Sequence, residues 1–72
     1  MEDLNRLKVV LAEKKRTNKW LSEQLNVTPS TVSKWCTNTS QPDLGCLMQI
    51  AKILEVELTD LVRFKEFKHE TE

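Results

Sequence analysis

Apolar residues recur along this chain at three- and four-residue steps, separated by short polar breaks, and the pattern is helical from end to end. Leu4, Leu7, Val10 and Leu11 predict a first helix that ends near Lys15. Thr17 is placed to N-cap a short second helix carrying Leu21 and Leu25 four residues apart. Asn26, which tolerates the left-handed conformation, follows as a tight interhelical turn. Thr28-Pro29 is the clearest start signal, an N-cap hydroxyl followed by proline at the first helical position. The third helix is expected to run from there to about Thr37, with Asn38 as a second left-handed stop. After the polar stretch Thr37-Asn38-Thr39-Ser40-Gln41-Pro42, Asp43 caps a fourth helix with an apolar face of Leu44, Leu47, Ile50, Ala51 and Leu54. A break around Glu55-Val56-Glu57 precedes Leu58, Leu61 and Val62, which predict a short fifth helix. No strand-like alternation competes. The expected architecture is an all-α, compact five-helix bundle over residues 1–63, with a charged tail over 64–72.

With 72 residues the chain makes one domain and buries only about 60% of its unfolded surface. Little room remains for a catalytic cleft. No apolar run approaches the roughly 20 residues that span a bilayer, and Met1 is followed by Glu2 and Asp3 where a signal peptide would be basic and then apolar. Cytoplasmic residence is the expectation. Cys36 and Cys46 then read as reduced and structural. Neither belongs to a C-x-x-C pair, and His69 is the one histidine, so neither a metal site nor a cofactor is implied. An enzyme is likewise poorly supported: there is no glycine-rich phosphate loop and no nucleophile paired with a base.

Net charge is zero overall but unevenly distributed. Residues 4–42 hold seven basic and two acidic side chains, +5, and residues 43–72 hold four basic and seven acidic, −3; Glu2 and Asp3 supply the remaining −2. A basic half suits a polyanion, with the acidic half turned away.

The third helix sharpens this. At 100° per residue Val32, Trp35 and Cys36 fall on one side, and Ser30, Ser33, Lys34 and Thr37 on the other. An ordinary solvated face carries several Glu and Lys residues. This one is small, hydroxylated and singly basic, with no acid from Asn26 to Pro42. Short hydroxyl side chains allow close approach to a groove floor and to phosphates. Trp35 belongs with Val32 in the core, whereas Trp20, next to Leu21 on a short helix, is either a partly exposed cover or part of an interface.

The stretch T-N-K-W-L-S-E-Q-L-N-V-T-P-S-T-V-S-K-W, with Q-P-D-L-G-C-L-M-Q-I-A-K-I-L-E-V-E-L-T-D-L-V downstream, resembles the Cro/repressor-type (XRE-like) helix-turn-helix family of transcriptional regulators. The resemblance implies five helices, a helix-turn-helix over residues 17–37, and a third helix lying in the major groove of double-stranded DNA. It further implies a homodimer on a two-fold-symmetric operator. By position, Pro29, Ser30, Ser33 and Lys34 match base-facing residues, Lys34 foremost because an ammonium can donate to guanine O6 and N7. Thr17, Asn18, Thr28, Thr37, Thr39 and Ser40 match phosphate-contacting positions. Ser22 stands at the family's small position in the second helix, and Asn26 and Asn38 replace its usual turn glycines. Pro29 replaces a hydrogen-bonding side chain with one that offers only apolar contact.

Where relatives pair an arginine on the first helix with a glutamate ending the third, this chain has Leu11 and Cys36. Both charges are gone together, which avoids stranding one at about 3–5 kcal/mol. The expectation is that Leu11 packs on a structural Cys36. A second function class stays open at this point: a protein-interaction module, such as an antitoxin bound to a partner protein, using Trp20, Phe64 and Phe67.

Overall fold

A computed structural model describes residues 4–63 and contains four α-helices: α1 (Leu7–Glu13), α2 (Asn18–Leu25), α3 (Pro29–Cys36) and α4 (Leu44–Leu54). The three expected caps form. Thr17 Oγ1 accepts from the Trp20 amide at 3.0 Å, Thr28 Oγ1 from Thr31 at 3.2 Å, and Asp43 Oδ1 from Cys46 at 2.7 Å. Helices of seven to eleven residues are too short to persist alone in water. Their stability comes from one shared core: Leu7, Val10 and Leu11 from α1, Leu21 from α2, Val32 and Trp35 from α3, Ile50, Ala51 and Leu54 from α4, and Leu61. Full burial of each large aliphatic side chain contributes about 1.5–3 kcal/mol.

The pair that matters for function is α2 against α3, the most extensive helix-helix contact in the fold. Ser22, 1% exposed, sits on the inner face of α2 and returns its hydroxyl proton to the Lys19 carbonyl at 2.7 Å. A small, internally satisfied side chain there lets α3 approach closely.

Three expectations need correction. The first helix begins at Leu7, and Leu4 is outside it and exposed. Residues 4–6 instead lead into the helix and pair with the far end of the domain. The Arg6 amide donates to the Leu61 carbonyl at 2.8 Å, the Arg63 amide to Leu4 at 3.1 Å, and Asn5 bridges Val62 in antiparallel fashion. The fifth helix is a single 3₁₀ turn, Leu58–Leu61, because Val62 is already extended in that pairing. Leu44 does not join the inner face of α4; it is 64% exposed in the first turn, one turn from the exposed Met48. The expected tail, with Phe64 and Phe67, lies outside the described residues.

All four helices end on a left-handed residue that is not glycine: Lys15 (φ 59°), Asn26 (φ 60°), Asn38 (φ 61°) and Glu55 (φ 60°). Each is followed by the same long closing bond, Arg16 to Leu11, Val27 to Ser22, Thr39 to Lys34 and Val56 to Ala51, at 2.9–3.0 Å. These are Schellman-type closures, which satisfy otherwise orphaned carbonyls. The asparagines were legible as left-handed stops; at Lys15 only the end of the helix was, and Glu55 was marked only by the break around it. Left-handed backbone costs an ordinary side chain about 1–2 kcal/mol, while glycine adds about 0.5–1 kcal/mol of unfolded-state entropy. Lys15→Gly and Glu55→Gly, at exposed sites, are therefore each expected to stabilise the fold by roughly 0.5–1 kcal/mol. Thermal melts at fixed pH check this, and a lowered midpoint would contradict it.

Candidate nucleic-acid interface

The third helix is pinned by one side and offers the other. Val32 is fully buried and Trp35 is 7% exposed, whereas Pro29, Ser30, Ser33, Lys34 and Thr37 are all exposed. Thr37 follows the last helical residue, Cys36, as its C-cap, one residue earlier than the expected helix end. The first turns of α2 and α3 hold no acid, so the positive ends of both helix dipoles are uncompensated by the chain itself. The side chains at those ends are already partly ordered. Thr17 and Thr28 accept from their own helices, and Thr28 Oγ1 also lies 2.9 Å from Thr31 Oγ1. Each hydroxyl oxygen that accepts a cap bond retains a proton to donate.

Thr37 and Thr39 form a second hydroxyl pair at 2.8 Å, and Thr37 Oγ1 lies 3.2 Å from both the Ser33 and Lys34 carbonyls. Two protons serve this cluster. One bridges the two oxygens; the other goes either to a helix carbonyl or outward. When Thr37 donates to Thr39, Thr39 is left to donate to an outside oxygen. Ser40 is exposed in the same loop.

Asn18 is held by the residue that replaced a family glutamate. The Cys36 thiol donates to Asn18 Oδ1 at 3.4 Å, which leaves the Asn18 NH₂ group as its outward donor. Cys36 itself packs against the core cluster that includes Leu11. Burial pushes its thiol above the usual range, and the neighbouring Lys8 ammonium opposes this. A thiol kept protonated in this way suits a structural hydrogen-bond donor, not a nucleophile. Cys46 is free as well, and its thiol is raised by burial and then by Asp43.

Several contributors lay beyond sequence reasoning. Trp20 is half-buried against the core, and Arg16 stacks on its ring with the guanidinium carbon 4.4 Å from the centroid. That places a cation just ahead of the α2 N-terminus. At the other end, buried Asn5, buried Asn38 and Gln41 form an amide network. Asn38 Oδ1 accepts from the Leu4 and Asn5 amides at 2.9 and 3.0 Å and from Gln41 Nε2 at 3.1 Å, and Asn38 Nδ2 donates to the Asn5 carbonyl at 3.3 Å. Asn5 Nδ2 donates to the Trp35 carbonyl and to Gln41 Oε1, and its Oδ1 accepts from the Leu7 amide, the first of α1. The network ties the end of α3 to the N-terminal segment, which in turn pairs with residues 61–63. Isolated asparagines and a loop glutamine carry no periodic signal that would have exposed it.

Among the described residues no group of three His, Cys, Asp or Glu gathers to hold a metal, and no helix is long and apolar enough to cross a membrane.

The family model for the Cro/C1-type HTH DNA-binding domain matches residues 6–66. A solved crystal structure from Bacteroides fragilis, described as that of "a putative DNA-binding protein", is 52% identical and superposes with a TM-score of 0.82. The match covers 83% of this chain and 97% of that one. No curated protein matches the sequence significantly. The family match covers most of the chain, and α2 and α3 form the helix-turn-helix. The chain belongs to the Cro/C1-type helix-turn-helix DNA-binding domain family.

Proposed function

We propose that this protein is a sequence-specific transcriptional regulator, acting in the cytoplasm as a homodimeric repressor, with α3 in the major groove of each half-site. The observation that carries the proposal is the acid-free outer face of α3, exposed at Ser30, Ser33, Lys34 and Thr37 while Val32 and Trp35 anchor its other side. Base edges are read by Pro29, Ser30, Ser33 and Lys34: Lys34 donates to guanine acceptors, the serines donate or accept, and Pro29 packs on a thymine methyl. Phosphates are held by Thr17, Asn18, Thr28, Thr37, Thr39 and Ser40, with the α2 and α3 N-termini adding their dipoles. Thr28 and Thr37 bracket α3 nine residues apart, roughly 13 Å at 1.5 Å per residue, comparable with a major groove about 12 Å wide. Hydroxyls at the two ends are therefore spaced to reach the phosphates bordering one groove.

Selection of preferred sites from a random duplex pool tests the proposal. The expected outcome is a palindrome whose half-sites lie about 10 bp apart, as a two-fold dimer requires. Affinity for the selected site is also expected to fall steeply with salt, log K losing about 0.9 per phosphate neutralised for each tenfold rise. A flat salt response, or a pool that never enriches, would refute DNA reading.

A further inference from the structure

Beside the C-terminal end of α3 lies a cavity of about 230 Å³ lined by Asn5, Arg6, Lys8, Val9, Cys36, Thr37, Asn38 and Arg63. Three of these residues are cations, drawn from residues 6–8 and 63, and among the described residues that line it none is acidic. Here the cations are also preset. Arg6 Nη1 donates to the Asp60 carbonyl at 2.8 Å and Arg63 Nε to the Asn5 carbonyl at 3.4 Å, so both guanidinium groups are oriented by neutral backbone acceptors. The Lys8 ammonium stands at the other wall, close enough to oppose the upward push on the Cys36 thiol. The buried amides of Asn5 and Asn38 are fully satisfied within their own network, and no buried side-chain polar atom of the described residues lacks a partner. The buried network thus needs no charge from the cavity, and bonds to backbone carbonyls hold Arg6 and Arg63 in a lining they share with the third cationic residue, Lys8.

We propose that this cavity is a phosphate-binding site in which Arg6, Lys8 and Arg63 receive one phosphoryl group, supplied by the DNA backbone just beyond the recognition helix. Guanidinium forks match the oxygens of a phosphate, and Lys8 adds a mobile point charge. A water takes about 30 Å³ of liquid volume, so the cavity admits a phosphate together with several of its waters. The DNA source follows from position. Thr37 lines the cavity and bonds Thr39, and Cys36 lines it and bonds Asn18, so the site continues the row of phosphate-contacting residues around the end of α3. For the source of its ligand the inference rests on the DNA-binding reading; for its chemistry it does not.

The test pairs two measurements on the full chain. Backbone amides of Lys8, Thr37 and Arg63 are followed by NMR during titration with inorganic phosphate. The salt dependence of binding to the selected duplex is compared among wild type, Lys8→Gln and Arg63→Gln. Lys8 is exposed, so Lys8→Gln is expected to keep its melting temperature and carries the decision if Arg63→Gln, which loses the bond to Asn5, proves unstable. A severalfold loss of affinity, with the salt slope reduced by about 0.9 for each contact removed, supports the backbone phosphate. Saturable amide shifts with inorganic phosphate that vanish in Lys8→Gln, with an unchanged DNA slope, support the same site occupied by a free phosphate. Unchanged slopes together with shifts that are absent, or that persist in Lys8→Gln, overturn the proposal. If wild type binds no duplex at all, the DNA reading fails, and the phosphate titration alone decides the cavity.

Discussion

Replacing Asn38 with alanine is expected to destabilise the protein by about 3–5 kcal/mol, although the residue lies in a polar stretch between helices. Two losses combine. Alanine at φ 61° meets the left-handed penalty of about 1–2 kcal/mol that asparagine tolerates better. The carboxamide also leaves behind the Leu4 and Asn5 amides, the Asn5 carbonyl and Gln41, of which the Asn5 groups are buried. Each buried group stranded without a partner costs about 1–3 kcal/mol. The sum rivals the total stability of a domain this size, about 0.05–0.15 kcal/mol per residue. Thermal unfolding is expected to drop by at least about 12 °C, at roughly 4–8 °C per kcal/mol for a small domain. Asn38→Gly separates the two causes: it relieves the backbone and still strands the amides, so it is expected to melt between alanine and wild type. Midpoints for both variants close to wild type would show that the network does not hold the N-terminal segment to the end of α3.

Lys34→Ala is expected to weaken binding to the selected duplex by about 1–3 kcal/mol, roughly 5- to 150-fold, with no change in melting temperature. Lys34 is exposed, and the contact it makes inside the fold is through its carbonyl, which accepts from Thr39 and Ser40 whatever the side chain. The variant thus removes charge and donors from the recognition face without disturbing its scaffold. A base-reading lysine and a phosphate-holding one differ in how the loss is distributed. Loss of base reading lowers affinity for the selected site and relaxes preference at one position; loss of a phosphate contact lowers affinity for all sequences alike and flattens the salt slope. Lys34→Arg, which keeps a bidentate donor for guanine, is expected to restore much of the affinity. Equal ratios of selected to scrambled DNA in wild type and Lys34→Ala would remove Lys34 from the base-reading set.

Much of the fold was legible because the signals were local. Thr17, Thr28-Pro29 and Asp43 cap the helices they were expected to cap, since a hydroxyl or carboxylate two or three residues ahead of an amide needs nothing else to bond it. The two faces of α3 separated for a similar reason: Val32 and Trp35 share one side of any helix built from those residues, whatever it packs on. Leu4 and Leu44 misled because periodicity identifies a stripe without saying where the stripe ends. Leu4 has the right spacing for α1, but Asn5 Oδ1 accepts from the first amide of the helix and the pairing with residues 61–63 claims the backbone. Leu44 begins the α4 stripe, yet no element among the described residues covers the first turn on that side.

By itself, then, the order of residues determined that the chain is helical, where α2, α3 and α4 start, and that residues 17–37 form a helix-turn-helix with one hydroxylated, acid-free face. Those properties follow from interactions spanning three or four residues. Only the tertiary structure decided how that face is supported. Asn5, Asn38 and Gln41 meet across more than thirty positions of chain, the Cys36 thiol finds Asn18, and Arg6, Lys8 and Arg63 converge beside the end of α3. Such meetings depend on how the ends of the domain close on each other, and a hydrogen bond between residues far apart in sequence leaves no periodic trace.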